Sequence, residues 1–99
     1  MPTHDVSFTT LARADLRTIR RHSRKEWGHQ QASAYMYSLL AAADSLGNFP
    51  ERGSVINPDH SSVRRVVSAR HVIYYRVLET EIEILRVLHE RMDTSSQLD

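Results

Sequence analysis

At 99 residues, with a formal net charge of +1 and no cysteine, the sequence excludes disulfides, iron–sulfur clusters and thiolate zinc sites. A single domain of this size buries roughly 65% of its unfolded surface, enough for a core without metal or disulfide staples. Lys25 is the only lysine among thirteen basic residues, and so lysine-poor and nearly neutral a chain suits neither tight nor direct nucleic-acid binding, which draws on many phosphate contacts. The opening MPTHDVSFTT lacks a basic segment leading into an apolar run, and nowhere do roughly 18 apolar residues follow one another, so we expect a soluble, cytoplasmic protein without membrane association.

Val6 to Phe8 alternate as in a short strand, and Thr9 and Thr10 offer hydroxyls to cap a helix beginning near Leu11. Ala12, Leu16, Ile19 and Ser23 recur at helical spacing toward Trp27. Arg13, Arg17, Arg20 and Arg24 fall on a different stripe, with Arg21 and Lys25 beside it, so this helix is apolar on one side and basic on the other. Gly28 breaks the pattern. A second helix follows from about His29 to Leu46, with Ala32, Met36, Leu39, Leu40, Ala43 and Leu46 as its buried stripe and Gly47 placed as a glycine C-cap.

Asn48 to Ser62 carries two prolines, a glycine and few apolar residues, and reads as a loop. Fifteen residues is long for such a connection, so Phe49, with Val55 or Ile56, is expected to pin it to the core. Val63 to Val67 is a strand, and Ser68 and Ala69 form the turn after it. The richest stretch is Arg70 to Asp93, where Val72 to Leu78 and Ile82 to Leu88 are β-branched, aromatic or aliphatic at nearly every position and are separated by a short polar break. A two-residue turn at Glu79 and Thr80 sets Leu78 opposite Glu81, Val77 opposite Ile82, Arg76 opposite Glu83 and Tyr75 opposite Ile84. One face then carries Ile73, Tyr75, Val77, Ile82, Ile84 and Leu88, and the other carries Arg76 against Glu83. The order is β-α-α-β-β-β, an α+β fold in which a helical hairpin packs on a small, mainly antiparallel sheet.

Several words of the sequence resemble the ParE branch of the ParE/RelE toxin superfamily. They are LARADLRTI (Leu11 to Ile19), EWG (Glu26 to Gly28), QASAYMYSLLAAADSLGNFPERG (Gln31 to Gly53), YRV (Tyr75 to Val77) and IEILRVLHERMD (Ile82 to Asp93), in that order and spacing. The resemblance implies a RelE/ParE-like fold and a toxin neutralised by a cognate ParD-like antitoxin in a hetero-oligomer, with DNA gyrase as target. The RelE branch instead cuts messenger RNA on the ribosome. Such cleavage needs a group to take the 2′-hydroxyl proton, another to protonate the leaving oxygen, and cations around the phosphate. The lysines of that branch are missing from the sheet segments here, no tyrosine follows Tyr75, and Arg65, Arg86, His89 and Arg91 make an incomplete set, with Arg64 as a further cation. A non-catalytic toxin is therefore expected, with the ribonuclease as the alternative.

On that resemblance the antitoxin-binding residues are Arg13, Arg17, Arg20, Arg24, Trp27 and Tyr37, although an arginine stripe is also what a solvated helix face looks like, and Trp27 and Tyr35 also read as core edges. A strand edge is available for augmentation as well. The segment from His89 onward has Met92 and Leu98 as its only sizeable apolar side chains. It adds little to a core, so His89, Arg91, Met92 and Leu98 are assigned to target contact, against the plainer reading of a frayed terminus. His89 itself reads first as a structural histidine. No histidine pair has HxxxH spacing, so neither a metal nor another cofactor is expected.

Overall fold

The computed structural model describes residues 3–60 and 62–92. Strand β1 (Asp5–Phe8) leads into helices α1 (Thr10–Trp27) and α2 (His29–Ser45), followed by β2 (Ser54–Val55), a 3-10 turn at Pro58–His60, and strands β3 (Val63–Ser68), β4 (His71–Val77) and β5 (Glu81–His89). The sheet order is β1-β5-β4-β3-β2. Two features go beyond the expected pattern. The first strand joins the sheet parallel to β5, with Val6 opposite Ile82 and Phe8 opposite Ile84, and a two-residue strand inside the long loop adds a fifth member against Arg64 and Arg65.

The helices start and stop for identifiable reasons. Thr9 caps α1 by accepting from the Ala12 N–H at 3.0 Å. Gly28 separates the helices with φ 86°, a left-handed backbone that a side chain would strain. Gly47 does not serve as the expected left-handed cap. The second helix ends through Leu46 in right-handed conformation, and Gly47 is needed because a Cβ there would lie 2.6 Å from the His4 carbonyl oxygen. That close approach lets the Gly47 carbonyl accept from the Thr3 and His4 N–H groups, tying the end of α2 to the start of β1.

The β4–β5 hairpin has the register read from the sequence, from Tyr75 opposite Ile84 through Val77 opposite Ile82, and Arg76 pairs with Glu83 at 3.6 Å. Beyond Tyr75 the ladder shifts. Tyr74 faces Arg86, leaving Leu85 as the extra residue of a β-bulge. The bulge reverses the side-chain alternation, so Val87 rather than Leu88 joins Ile73, Tyr75, Ile82 and Ile84 beneath the helices, and Leu88 turns to the opposite face with Val72 and Tyr74. The helix-side core is completed by Ala12, Ile19, Met36, Leu39, Ala43 and Leu46, whereas Leu40 of the expected stripe is 36% exposed. Each large buried aliphatic side chain contributes about 1.5–3 kcal/mol relative to exposure.

The long loop is held differently from expectation. Phe49 and Val55 are exposed, and only Ile56 packs inward, onto the Val72–Tyr74–Leu88 cluster. The main anchor is the buried Tyr75, whose hydroxyl donates to the Pro50 carbonyl and accepts from the Gly53 N–H, both at 2.8 Å. Ser68 pairs with His71, so the β3–β4 turn is Ala69–Arg70, one residue later than expected.

Candidate functional site

Three surfaces gather the residues singled out from the sequence. The outer side of α1 brings Arg17, Arg20, Arg21 and Arg24 side by side. Four residues make just over one turn of helix, which is why the arginine spacing collapses into one patch. None of these guanidinium groups forms an ion pair among the described residues, whose salt bridges are Arg76–Glu83 and Arg86–Asp15. Arg13 is exposed one turn earlier.

Between α1 and α2 lies a shallow groove lined by Arg20 and Arg24 from one helix and by Ala32, Met36, Tyr37 and Leu40 from the other. Tyr37 is 77% exposed, in keeping with its position out of step with the buried stripe. The groove thus combines an apolar floor, an amphipathic aromatic ring and two guanidinium groups, the chemistry of a surface that receives a helix or strand of opposite charge.

The third surface is a cleft of about 400 Å³ between the C-terminal half of α1 and the end of β5. Here the structure regroups the predicted residues. Trp27, assigned above with the arginine stripe, shares this cleft with His89 and Met92 from the other end of the chain. A ladder of rings runs along it, with Tyr35 behind the lining residues: Trp27 meets Tyr35 edge-on at 5.8 Å, Tyr35 meets His71 at 5.6 Å, and His71 meets His89 edge-on at 5.4 Å. The Tyr35 hydroxyl lies 2.6 Å from His71 Nδ1 and accepts from the Arg70 N–H at 3.3 Å, so its own proton is free to donate to the imidazole. Burial pushes the Tyr35 phenol above its ordinary range. Burial, reinforced by the neighbouring His89, pushes His71 below the usual histidine range. The Arg70 guanidinium sits 5.9 Å over the Trp27 ring.

Asp15, Tyr35, Arg70 and His71 were not singled out from the sequence for their roles here. A signal was present for the first two. Asp15 stands three residues after Ala12 and four before Ile19, a carboxylate on the apolar stripe of its helix, and Tyr35 holds the same position between Ala32 and Leu39. Arg70 and His71 carry no local signal, because their partners are distant in sequence.

Of the residues named for the ribonuclease alternative, Arg86 and His89 line the same cleft, whereas Arg65 and Arg91 do not. Arg86 is drawn to α1, where it donates twice to Asp15 at 2.8 and 2.9 Å, and that hydrogen bonding raises its already high pKa. Arg65 pairs with Tyr74, on the sheet face away from the helices, and its Nε and the Tyr74 hydroxyl are buried without a partner. His89 faces His71, and its Nδ1 accepts from the N–H of the exposed Arg91 at 3.1 Å. Leu98 lies outside the described residues.

Comparison with known proteins agrees with this architecture. The family described as "ParE toxin of type II toxin-antitoxin system, parDE" matches residues 6–94. Toxin ParE1 of Caulobacter vibrioides is 36% identical over 87 residues, covering 88% of this chain and 90% of that protein. Toxin ParE1 of Mycobacterium tuberculosis is 33% identical, covering 92% and 94%. Among solved structures, the chromosomal ParDE toxin–antitoxin system from P. aeruginosa superposes with a TM-score of 0.75 at 22% identity, covering 88% of this chain and 96% of that one. The toxin–antitoxin complex RelBE2 from Mycobacterium tuberculosis superposes at 0.67 and 23% identity, covering 91% and 100%. Those two likenesses bear on the fold, whereas the family match and the identities bear on descent. The chain, two helices packed on a five-stranded mixed sheet, therefore belongs to the ParE toxins of type II toxin–antitoxin systems.

Proposed function

We propose that this protein is a cytoplasmic, single-domain toxin, held inactive by a ParD-like antitoxin, that inhibits DNA gyrase without cutting nucleic acid itself. The observation that carries the non-catalytic reading is the dispersal of Arg65, Arg86, His89 and Arg91. Arg86 is neutralised by Asp15, Arg65 lies on the far sheet face, and His89, beside His71 in the cleft, has its Nδ1 engaged by the Arg91 N–H. General acid–base cleavage requires its groups within hydrogen-bond reach of a single scissile centre, and these four residues do not share one. The arginines of α1, unpaired among the described residues, and the groove with Tyr37 support an acidic antitoxin segment as the neutralising partner. Such a segment would order as it binds and cover a large surface with a small chain.

The deciding experiment compares two reactions with the purified toxin. Inhibition of gyrase supercoiling, relieved by the antitoxin, is the expected result. Mapped cleavage of messenger RNA in a purified translation system, abolished by His89→Ala, would reverse the reading in favour of the ribosome.

A further inference from the structure

The cleft between α1 and β5 is separate from the α1–α2 groove and has its own chemistry. Its floor is apolar, built by Ile19 and Val87, and its mouth is framed by Trp27 and Met92, which are 36% and 40% exposed. The polar groups at its base are already satisfied. Asp15 is taken by Arg86 and by the Val87 N–H, and His71 by Tyr35. The two buried side-chain atoms without partners among the described residues belong to Arg65 and Tyr74, neither of which lines the cleft. An apolar group can therefore enter without stranding a donor or acceptor, the condition under which a buried anchor gives net affinity. Of the charged residues that line the cleft, Arg70 has no ion pair among the described residues, and Asp15, the one carboxylate, is neutralised by Arg86; His22 and His89 add ring N–H donors. No residue lining this cleft also lines the α1–α2 groove.

We propose that the cleft is a second docking site, which receives one bulky apolar side chain from an acidic segment of a partner protein. Resting on the toxin reading above, that partner is the toxin's target and not its antitoxin. Apolar shape complementarity selects the anchor side chain, and Arg70 with the flanking histidines selects carboxylates beside it. Trp27 and Met92 are of the residue types that concentrate binding energy at such sites.

The test uses the full chain, free of antitoxin, and an acetylated, amidated probe peptide Asp-Glu-Leu-Phe-Glu-Asp followed by NMR. Expected are saturable shifts confined to the Trp27 indole, His22, His89 and the Met92 methyl. Replacing Phe by Ala in the probe should weaken binding about tenfold or more, and replacing its acids by Gln should remove most of the salt dependence. Thr18→Trp, at an exposed position on the cleft wall, and Arg70→Glu should each abolish probe binding and growth arrest while leaving the melting temperature and antitoxin affinity unchanged. Absence of shifts at millimolar probe, or shifts on Arg17, Arg20 and Arg24 instead, overturns the proposal. So does cleft movement that follows protein concentration or removal of residues 93–99 without probe, since the occupant is then a second copy or the chain's own tail. Full growth arrest by Thr18→Trp, or a loss of antitoxin affinity, also overturns it. If probe binding and growth arrest both depend on the cleft but supercoiling is unaffected by the wild-type toxin, the gyrase reading fails and the cleft stands.

Discussion

Asp15 and Arg86 form a two-pronged ion pair across 71 residues of chain, and the same carboxylate accepts from the Val87 N–H at 2.9 Å. The bulge in β5 is what makes this necessary. Where the ladder shifts, backbone groups lose their regular partners, and α1 supplies replacements: Thr9 donates to the Leu85 carbonyl at 2.9 Å, and Asp15 takes the Val87 N–H. The two side chains are only 14% and 24% exposed, so removal of one strands the other. Asp15→Ala is expected to cost about 2–4 kcal/mol, because it leaves a guanidinium and a backbone donor without partners. Arg86→Met should cost less, since the carboxylate keeps the Val87 N–H. Urea unfolding of both variants and the double mutant checks this; equal losses would mean that the backbone bond contributes little.

His71 sets a pH dependence whose sign follows from its lowered pKa. The neutral form is favoured in the folded state by burial and by the neighbouring His89 and His22, while Glu90 pulls the other way. Below about pH 6.5 the unfolded chain takes up a proton before the folded one does. The contribution of His71 is therefore complete above that pH and declines as pH falls toward the folded pKa. Thermal melts from pH 8 to pH 5 should show a steeper acid decline for wild type than for His71→Gln. A parallel decline in the variant would place the titrating group elsewhere.

How far the sequence carried this fold depends on how local the determining contacts were. The β4–β5 register near the turn was readable because alternation of apolar residues about Glu79–Thr80 admits one pairing that keeps Tyr75, Val77, Ile82 and Ile84 on one face. The bulge at Leu85 was not, since no glycine or proline marks it and IEILRVL reads as unbroken strand. That one residue moved Leu88 to the wrong face. The parallel pairing of Asp5–Phe8 with Glu81–Ile84 likewise leaves no trace in either segment. The arginine patch, a property of helical spacing, was legible. The cleft joining Trp27 to His89 and Met92 was not, because it depends on which end of the sheet α1 crosses.

Ala69 occupies the β3–β4 turn with φ 53°, the only non-glycine residue with positive φ among the described residues. A left-handed first turn residue followed by one that is not left-handed is the pattern of a type II′ turn, where glycine is favoured. Ala69→Gly removes a left-handed penalty of about 1–2 kcal/mol at an entropic cost of about 0.5–1 kcal/mol. A small net gain is expected, read as a rise in melting temperature. An unchanged or lower value would show that the surrounding pairs, Ser68 with His71 above all, already hold the turn without strain.

Tyr75→Phe tests the anchor of the long loop. The hydroxyl bridges the Pro50 carbonyl and the Gly53 N–H inside the protein, so its loss leaves two backbone groups unpaired at a cost of about 1–3 kcal/mol. Hydrogen exchange should quicken at the Gly53 amide, while the amides of the β4–β5 hairpin keep their protection. Uniform loss of protection would mean that the loop and the sheet open as one unit.

The arginine face of α1 makes a prediction in which stability and binding move in opposite directions. Arg13 and Arg17, Arg17 and Arg21, Arg20 and Arg24, and Arg21 and Lys25 are each four residues apart, so like charges stack along the helix with no carboxylate paired to them among the described residues. Such pairs each destabilise a helix by about 0.2–0.5 kcal/mol, and together they cost on the order of 1 kcal/mol at low salt. Part is offset by the favourable position of Arg24 and Lys25 in the last turn, next to the negative end of the helix dipole. A face that weakens its own helix is accounted for if an acidic partner neutralises it. Replacing Arg13, Arg17 and Arg20 together by Gln should therefore raise the melting temperature at low salt while lowering antitoxin affinity and flattening its salt dependence. Replacement by Glu should weaken the complex further. Antitoxin affinity that is unchanged at low salt in both triple variants would leave the stripe as solvated surface and shift the docking energy to Tyr37 and the apolar floor of the groove.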